Sequence, residues 1–378
     1  MANIIVLGAG RIGKAIAIDL ARNHQVAAVD YDSYALEQLT QDNLNIQCQQ
    51  LDLLDTAQLA EAIKPVDLVI SAVPGFMGYQ TLKQIITGNK NVIDISFFPE
   101  DSLELDDLAT QHKVTAIVDM GIAPGMSNLI LGHHNEQMDI QNFYCVVGGL
   151  PKNPRPPFNY KAPFSPIDVI EEYTRPARIV INGEKVTKPA LSDIELVEFP
   201  QVGTLEAFNT DGLRTLLDSM PNIPNMVEKT LRYPGHAELI KTLQEIGFFS
   251  EEPLTEISHY MRPIDVTAQL LKKHWELEKN EPEFTVMRIK ISGTEQGHGV
   301  TYQYDLYDEY DSATCTTSMA RTTGYACTAA ANLVLDQGFD TKGVSPPEKM
   351  GSDMSCYKFI LDYLQQRNVV FHHSRTPH

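Results

Sequence analysis

The stretch Ile4-Ile5-Val6-Leu7-Gly8-Ala9-Gly10-Arg11-Ile12-Gly13, carried on to Asp30, decides how the rest of the chain is read. Residues 4–7 form an unbroken apolar run, the pattern of a strand covered on both faces inside a parallel sheet. A glycine turn follows at once. Ile12, Ile16 and Leu20 then recur at helical spacing with Ala15 beside them, so a helix opening near Gly10 lays one apolar stripe on that sheet. A second apolar run, residues 25–29, ends in the carboxylate of Asp30.

Glycine marks many ordinary turns; here the succession of strand, turn, helix, strand and acid carries the reading. The first glycine permits the tight turn, the second lets backbone approach a pyrophosphate, and the third brings helix and strand close. The helix N-terminus adds free N–H groups and the positive end of its dipole. Gly8, Gly10, Arg11, Ile12 and Gly13 are therefore expected to bind a dinucleotide. Asp30 follows Gly13 by seventeen residues, the spacing at which a carboxylate reaches the adenosine ribose. Tyr31 and Asp32 come next, with no lysine or arginine to receive a 2′-phosphate, so the expected cofactor is NAD rather than NADP.

The chain has 378 residues and is 43% hydrophobic, enough for two domains with sizeable cores. Its formal net charge of −19 opposes nucleic acid and anionic membranes as partners. An anionic ligand then needs a locally basic site, which singles out Lys161, Arg214 and Arg232 in the second half. Five cysteines, at 48, 145, 315, 327 and 356, show no CxxC spacing. Reduced thiols are expected, with neither a disulfide framework nor a metal site. Met1 leads almost directly into the first strand and no apolar run approaches membrane-spanning length, so a cytoplasmic location is expected.

Beyond Asp30, residues 45–51, 67–71, 91–95 and 114–118 read as strands, with a helix over residues 56–63. This alternation predicts an α/β fold, a doubly wound parallel sheet whose ligands sit at the carboxyl ends of its strands. Ser71, Ala72, Val73 and Pro74 then fall beside the nicotinamide half, and Asp52 and Asp55 near the adenine. The character changes near residue 120, where Gly121-Ile122-Ala123-Pro124-Gly125-Met126-Ser127-Asn128 forms a glycine and proline turn. The expected domains are residues 1–122 for the dinucleotide, 123–317 for the substrate, and a last segment, 318–378.

A strand over residues 141–147 is stopped by Gly148-Gly149-Leu150-Pro151. Residues 151–166 hold six prolines among Lys152, Arg155, Asn159, Tyr160 and Lys161, a non-helical loop long enough to cover a substrate. Asn182-Gly183 centres a hairpin over residues 178–186. Helical patterns at 211–220, 237–247 and 264–279, with antiparallel strands at 283–293 and 299–310, indicate an α+β substrate domain. Residues 318–336 read as a long helix of small residues, and 372–378 as a loose polar tail.

Together these segments resemble the saccharopine dehydrogenase family, including its lysine 6-dehydrogenase-like bacterial members, over most of the chain. The resemblance rests on the N-terminal glycine turn, on Gly121 through Asn128, and on Gly148-Gly149-Leu150-Pro151 followed by Tyr160-Lys161 and Phe164-Ser165-Pro166. It rests further on Thr230-Leu231-Arg232-Tyr233-Pro234-Gly235-His236, Met319-Ala320-Arg321-Thr322-Thr323-Gly324 and Gly343-Val344-Ser345-Pro346-Pro347-Glu348. It implies a Rossmann domain, a middle α/β domain carrying substrate contacts, a C-terminal segment that returns to the first domain, and a homodimer formed through the middle domain. Saccharopine-oxidising relatives look to carry Asp-Pro-Gly where this chain has Ala123-Pro124-Gly125, so a lysine-like amine is at least as well supported as saccharopine.

The resemblance also implies the chemistry, oxidation of a C–N bond in a small amino-acid substrate. A hydride leaves the carbon that bears an uncharged amine, which calls for a base matched to the working pH and a site closed to bulk water. Arg232, on the family pattern, is expected to take the substrate carboxylate, with Arg214 as a further cation and Tyr160 beside it. Lys161 is expected as donor or desolvated base, and His236 as the group that titrates near neutrality. Plainer roles stand beside these: a structural salt bridge for Arg232, a snorkelling surface lysine for Lys161, a turn residue for His236. Two other functions compete, a non-catalytic dinucleotide-binding sensor or scaffold and a carboxynorspermidine-type reductase of polyamine precursors.

Overall fold

A computed structural model describes residues 1–42, 45–163, 166–254 and 261–378 of the chain. Phe164 and Ser165 of the resembling motif lie outside the described residues. The strands in chain order are β1 (Asn3–Leu7), β2 (Gln25–Asp30), β3 (Ile46–Gln50), β4 (Leu68–Ser71), β5 (Asn91–Asp94) and β6 (Thr115–Ile117). There follow β7 (Asp139–Pro151), β8 (Ala177–Ile181), β9 (Glu184–Lys188), β10 (Glu195–Phe199), β11 (Gly203–Asn209) and β12 (Asn225–Arg232). The last are β13 (Glu283–Glu295), β14 (His298–Glu309), β15 (Gly343–Ser345) and β16 (Phe371–Pro377).

The first sheet runs β15-β6-β5-β4-β1-β2-β3, with every pairing parallel. β1 is central, paired to β2 on one side and β4 on the other, which is why Ile4, Ile5, Val6 and Leu7 are all buried. Strand order reverses between β1 and β4, and that reversal opens a crevice above the carboxyl ends. The second sheet runs β10-β11-β12-β7-β13-β14-β16, mixed in direction because β12 and β7 pair in parallel among antiparallel neighbours. β8 and β9 form the expected hairpin, with Asn182 at φ 52° and Gly183 at φ 83° as a primed turn requires.

Three expectations are corrected. β7 passes through Gly148 and Gly149 to Pro151 instead of stopping before them. A Cβ at 148 would stand 2.7 Å from Leu231 O of β12, so the glycine admits a close neighbour. The helix expected over 211–220 is reduced to Leu216–Ser219, because Arg214 adopts φ 46° and the backbone leaves the helical region there. The expected loose tail is strand β16, paired along β14 from Phe371↔Leu306 to Pro377↔Val300. A sheet edge needs only backbone N–H and C=O groups, so a polar sequence joins it without an apolar signal.

The C-terminal segment binds the two sheets together. Its helix Ser318–Leu335 is almost wholly buried, as expected of a helix apolar or small on every side. Toward the first sheet, a Cβ on Gly324 would lie 3.3 Å from Ile16 on the helix Arg11–Leu20. Toward the second, Arg321 pairs with Asp308 at 3.1 Å, and the Met319 side chain lies against Gly149. Burying a large side chain such as Leu333 contributes about 2 kcal/mol, so this helix stabilises both halves at once. Eight residues further on, β15 extends the first sheet beside β6.

Candidate functional site

A cleft of about 1270 Å³ separates the carboxyl ends of the first sheet from the face of the second. Gly8, Gly10, Arg11, Ile12, Gly13 and Asp30 line one end, with Asp52 beside them, and Ala72, Val73 and Pro74 continue the wall. Val147 to Gly149, Thr210 to Gly212, Glu228, Thr230 and Arg232 line the opposite wall. The helix Pro263–Trp275 contributes Asp265, Gln269 and Lys272.

The glycine turn has the form a phosphate needs. A Cβ at Gly13 would stand 2.0 Å from Gly8 O, and one at Gly8 2.4 Å from Ala72 O, so helix and strands meet there with no space for a side chain. Nothing lies within 4 Å of where a Gly10 Cβ would be. Gly10 is also the N-cap of the helix Arg11–Leu20, and no side chain caps its first N–H groups. Free donors, a dipole and an open approach thus coincide. The Asp30 carboxylate accepts from Ala9 N at 2.7 Å and from Asp32 N at 2.9 Å. Tyr31 and Leu54, both lining this end, are strongly exposed. Arg11 reaches across the cleft and donates to Ala162 O at 3.1 Å and Leu277 O at 2.8 Å.

Ser71, expected beside the nicotinamide half, is fully buried and not among the residues lining the cleft; its hydroxyl faces Ser96 Oγ at 3.4 Å. Asp55 is the N-cap of the helix Thr56–Ile63 and accepts from Ala57 N and Gln58 N, so it serves that helix instead of the adenine end.

The residues expected to act on substrate are distributed differently. Lys161 and Tyr160 line a separate, smaller recess in the proline-rich region, and the Lys161 ammonium donates to Glu276 O at 2.8 Å. Arg214 sits behind the wall, its Nε 2.8 Å and 2.9 Å from the two oxygens of Asp119 and its Nη1 donating to Phe98 O. Arg232 lines the cleft, but its donors are engaged: Nε to Tyr173 OH at 3.0 Å, Nη2 to Glu172 at 2.8 Å and to Tyr160 OH at 3.3 Å, Nη1 to Leu231 O at 2.9 Å. His236 is 3% exposed and lines neither space. Its Nδ1 faces Phe158 O and its Nε2 faces Tyr173 OH, both at 2.9 Å. Since Tyr173 OH receives Arg232 Nε, its own proton goes to His236 Nε2, and the ring is neutral with the proton on Nδ1. Burial, then the neighbouring Arg232 charge, lowers the imidazole pKa to about 3. A base meant to exchange protons near neutrality is not built this way.

Two residues that sequence reasoning passed over face the cleft instead. Arg175 lines it just after the helix Pro166–Thr174, with its guanidinium 4.9 Å from the Phe97 ring centroid and Nη2 paired to Glu171. Its Nη1 is buried with no hydrogen-bond partner. Glu228 lines it from β12, 3% exposed, with Oε2 likewise buried and unpartnered. The alternation Glu228, Thr230, Arg232 along one strand face was the available signal. Among the described residues no group of three or more His, Cys, Asp or Glu is placed to hold a metal, and no helix is long and apolar enough to cross a membrane.

Residues 121–370 match the family model described as saccharopine dehydrogenase C-terminal domain, and residues 4–117 the model described as saccharopine dehydrogenase NADP binding domain. The chain is similar to "Saccharopine dehydrogenase [NADP(+), L-glutamate-forming]" of Pyricularia oryzae, 26% identical over 259 residues that cover 65% of this chain and 57% of that protein. It is similar to the protein of the same name in Schizosaccharomyces pombe, 23% identical over 398 residues, covering 84% of this chain and 86% of the relative. Alpha-aminoadipic semialdehyde synthase of Arabidopsis thaliana is 24% identical over 230 residues, which are 55% of this chain and 21% of that one. The chain thus spans less than two thirds of the fungal protein first named and about a fifth of the plant one. Among solved structures, apo saccharopine dehydrogenase (L-Glu forming) from Saccharomyces cerevisiae shares the fold, with a TM-score of 0.79 at 19% identity over 100% of both chains.

These matches correct the expectation of NAD: the matching N-terminal model and both fungal relatives carry NADP in their descriptions. The physical reason the inference failed is visible in the turn. Both Asp30 oxygens already accept backbone N–H groups, so the carboxylate stabilises the turn itself and its presence does not report the cofactor.

Proposed function

The chain belongs to the saccharopine dehydrogenase family, and on that premise we propose that it is an NADP-dependent dehydrogenase that oxidises a C–N bond of lysine or a lysine-derived amine. The observation that carries the reading is the pairing, within one cleft, of an open glycine cradle with an unpartnered guanidinium nitrogen, Arg175 Nη1. The first suits a dinucleotide pyrophosphate and the second a substrate carboxylate.

NADP, when bound, supplies the hydride acceptor. The backbone N–H groups around Gly10 and the start of the helix Arg11–Leu20 hold its phosphates. Tyr31 and Leu54 cover its adenine, giving those exposed apolar side chains a partner. Ala72, Val73 and Pro74, at the carboxyl end of β4, border the reacting ring. Arg11 ties the phosphate turn to the far wall and Asp168 accepts from Gly75 N at 3.3 Å, so both ends of the cleft are bridged across the two sheets. Those bridges hold the two walls together over the cleft, where the uncharged amine is to stay shielded from bulk water until the hydride has moved.

Arg175 orients the substrate through its carboxylate, while Arg232, anchored by Tyr160 and Tyr173, keeps Glu172 in place in the same wall. Homodimer formation and a cytoplasmic location belong to the same reading, and light scattering on the purified protein measures the first.

The deciding experiment offers purified protein NADP or NAD together with L-lysine, saccharopine, L-ornithine and 1,5-diaminopentane, and follows reduced cofactor by absorbance. Turnover with NADP on at least one lysine-derived amine is expected. Absence of turnover on the whole panel, in protein that still binds NADP, would replace this reading with that of a dinucleotide-binding sensor.

A further inference from the structure

Alternate residues of a strand share a face, and β12 turns Glu228, Thr230 and Arg232 toward the cleft. Two of the three are satisfied within the fold. Thr230 Oγ1 meets Thr210 Oγ1 at 2.9 Å, and Arg232 donates to Tyr173, Glu172, Tyr160 and Leu231 O. Glu228 differs. Its Oε2 is buried without a partner, although burying an unpaired carboxyl is costly and folds usually avoid it. Its position is nonetheless built: a Cβ on Gly212 would fall 1.9 Å from Glu228 Oε1, so this glycine leaves the space the carboxyl occupies.

The groups facing Glu228 come from four elements. Glu172 stands on the helix Pro166–Thr174, Asp119 follows β6, Asp211 and Arg214 follow β11, and the thiol of Cys145 lies opposite on β7. Burial, then Glu172, Asp119 and Asp211, push the carboxyl up to about 8, with Arg214 opposing them. At neutral pH the group is therefore neutral, and it offers an O–H donor and an acceptor oxygen to a ligand.

We propose that Glu228 is the catalytic acid–base of this cleft, its carboxyl receiving the substrate's reacting nitrogen and retaining the proton that the ammonium gives up. The inference rests on the amine-dehydrogenase reading above. As the ammonium enters, the neutral Glu228 carboxyl gives its own proton to solvent, and the carboxylate so formed takes one proton from the ammonium, a net release of one proton per amine bound. The remaining proton resides on the Glu228 carboxyl, and the nitrogen carries a free lone pair. The C–H bond then breaks with both electrons leaving in the hydride, which reduces NADP⁺, and the lone pair forms the C=N bond of the product iminium. Nothing else is oxidised or reduced. Glu172 is engaged by Arg232, Asp119 by Arg214 and Asp211 by Arg178, whereas Glu228 Oε2 has no partner.

The test uses whichever of L-lysine, saccharopine and 1,5-diaminopentane the wild-type protein oxidises. That amine is titrated calorimetrically into protein carrying NADPH, so that no turnover occurs, in buffers of different ionisation heat. At pH 7 the wild type is expected to release close to one proton per amine bound, and Glu228→Gln none. In the oxidation assay Glu228→Gln should lose about a hundredfold to a thousandfold in kcat while NADPH affinity stays unchanged. Proton release from Glu228→Gln equal to that of wild type, or a kcat within about threefold of wild type, overturns the proposal. Should Glu228→Gln fail to bind NADPH, Glu228→Asp decides: it keeps a carboxyl but retracts it, so retained proton release with reduced kcat is expected, and an unchanged kcat overturns the assignment. If the wild type oxidises none of the amines, the functional reading itself fails. If it oxidises one and the variants match it, only the role of Glu228 fails.

Discussion

Asp19 accepts Arg367 Nε on both carboxylate oxygens at 2.9 Å, joining the first helix to a residue 348 positions later. Asp19 is 1% exposed, and Thr328 Oγ1 and Tyr363 OH also donate to it at 2.8 Å. Asp19→Ala leaves the Arg367 charge without its partner beneath a packed interface and is expected to destabilise the fold by about 3 kcal/mol. Urea denaturation of the two proteins measures the difference. A loss below about 1 kcal/mol would mean that the pair behaves as an exposed one.

Gly10 and Gly13 make contrasting demands. A methyl at 13 collides with Gly8 O, whereas a methyl at 10 meets nothing of the protein and enters only the space left for a phosphate. Gly10→Ala is expected to keep wild-type thermal stability and lose at least about tenfold in NADP affinity, measured by fluorescence titration. Gly13→Ala is expected to lower stability as well. Equal behaviour of the two variants in both measurements would contradict the cradle described above.

Arg175 lines the cleft and keeps one guanidinium nitrogen, Nη1, without a hydrogen-bond partner. Removing a charge-assisted hydrogen bond to a substrate carboxylate costs about 1.5–3 kcal/mol, so Arg175→Ala should raise KM for an amino-acid substrate by roughly 10- to 100-fold. Arg175→Lys should recover little, because an ammonium lacks the planar fork. The oxidation of 1,5-diaminopentane, which has no carboxylate, is expected to be far less affected. A similar KM change for both kinds of substrate would place Arg175 in the protein's own framework.

His236 is buried and lines neither the cleft nor the smaller recess, so its titration bears on stability. An unfolded chain protonates this histidine below about pH 6.5, while the folded ring stays neutral until about 3. The unfolded state therefore binds more protons between those limits, and stability falls as pH falls. Replacing it by Asn removes that share. The stability advantage of wild type over His236→Asn should shrink by about 1.4 kcal/mol per pH unit from 6.5 downward, read from urea midpoints at several pH values. A constant difference would mean that the ring is protonated in the folded protein.

What could be read from the chain beforehand was whatever depends on near neighbours. Residues 4–30 carry their own period, turn and caps, so β1, its helix and β2 were legible without tertiary context. The same holds for the hairpin at Asn182-Gly183. β16 was missed because an edge strand is specified by the partner it joins, here β14, more than by its own pattern. For the site, residue type was a poor guide. Lys161, His236 and Arg214 have the chemistry expected of a substrate site, yet each is engaged by Glu276 O, Tyr173 or Asp119. Glu228 and Arg175 owe their character to open valences, and these depend on residues drawn from distant segments. Asp30 failed differently: its position was read correctly, but both oxygens turn to the backbone.

The pairing of Thr115–Ile117 with Gly343–Ser345 has a consequence for how the chain is born. On a ribosome, β6 emerges with one edge bare, and Ile117 waits 228 residues for Ser345. At ordinary elongation rates that is roughly ten to fifty seconds. Throughout that interval the nascent dinucleotide sheet presents an apolar strand with unpaired backbone, a template for mispairing with other chains. Synthesis of most of the second sheet fills the same interval, and that sheet in turn waits for Phe371–Pro377, so the two halves mature together. A gene truncated before residue 343 is therefore expected to yield an aggregating product even though it encodes every residue of the glycine cradle.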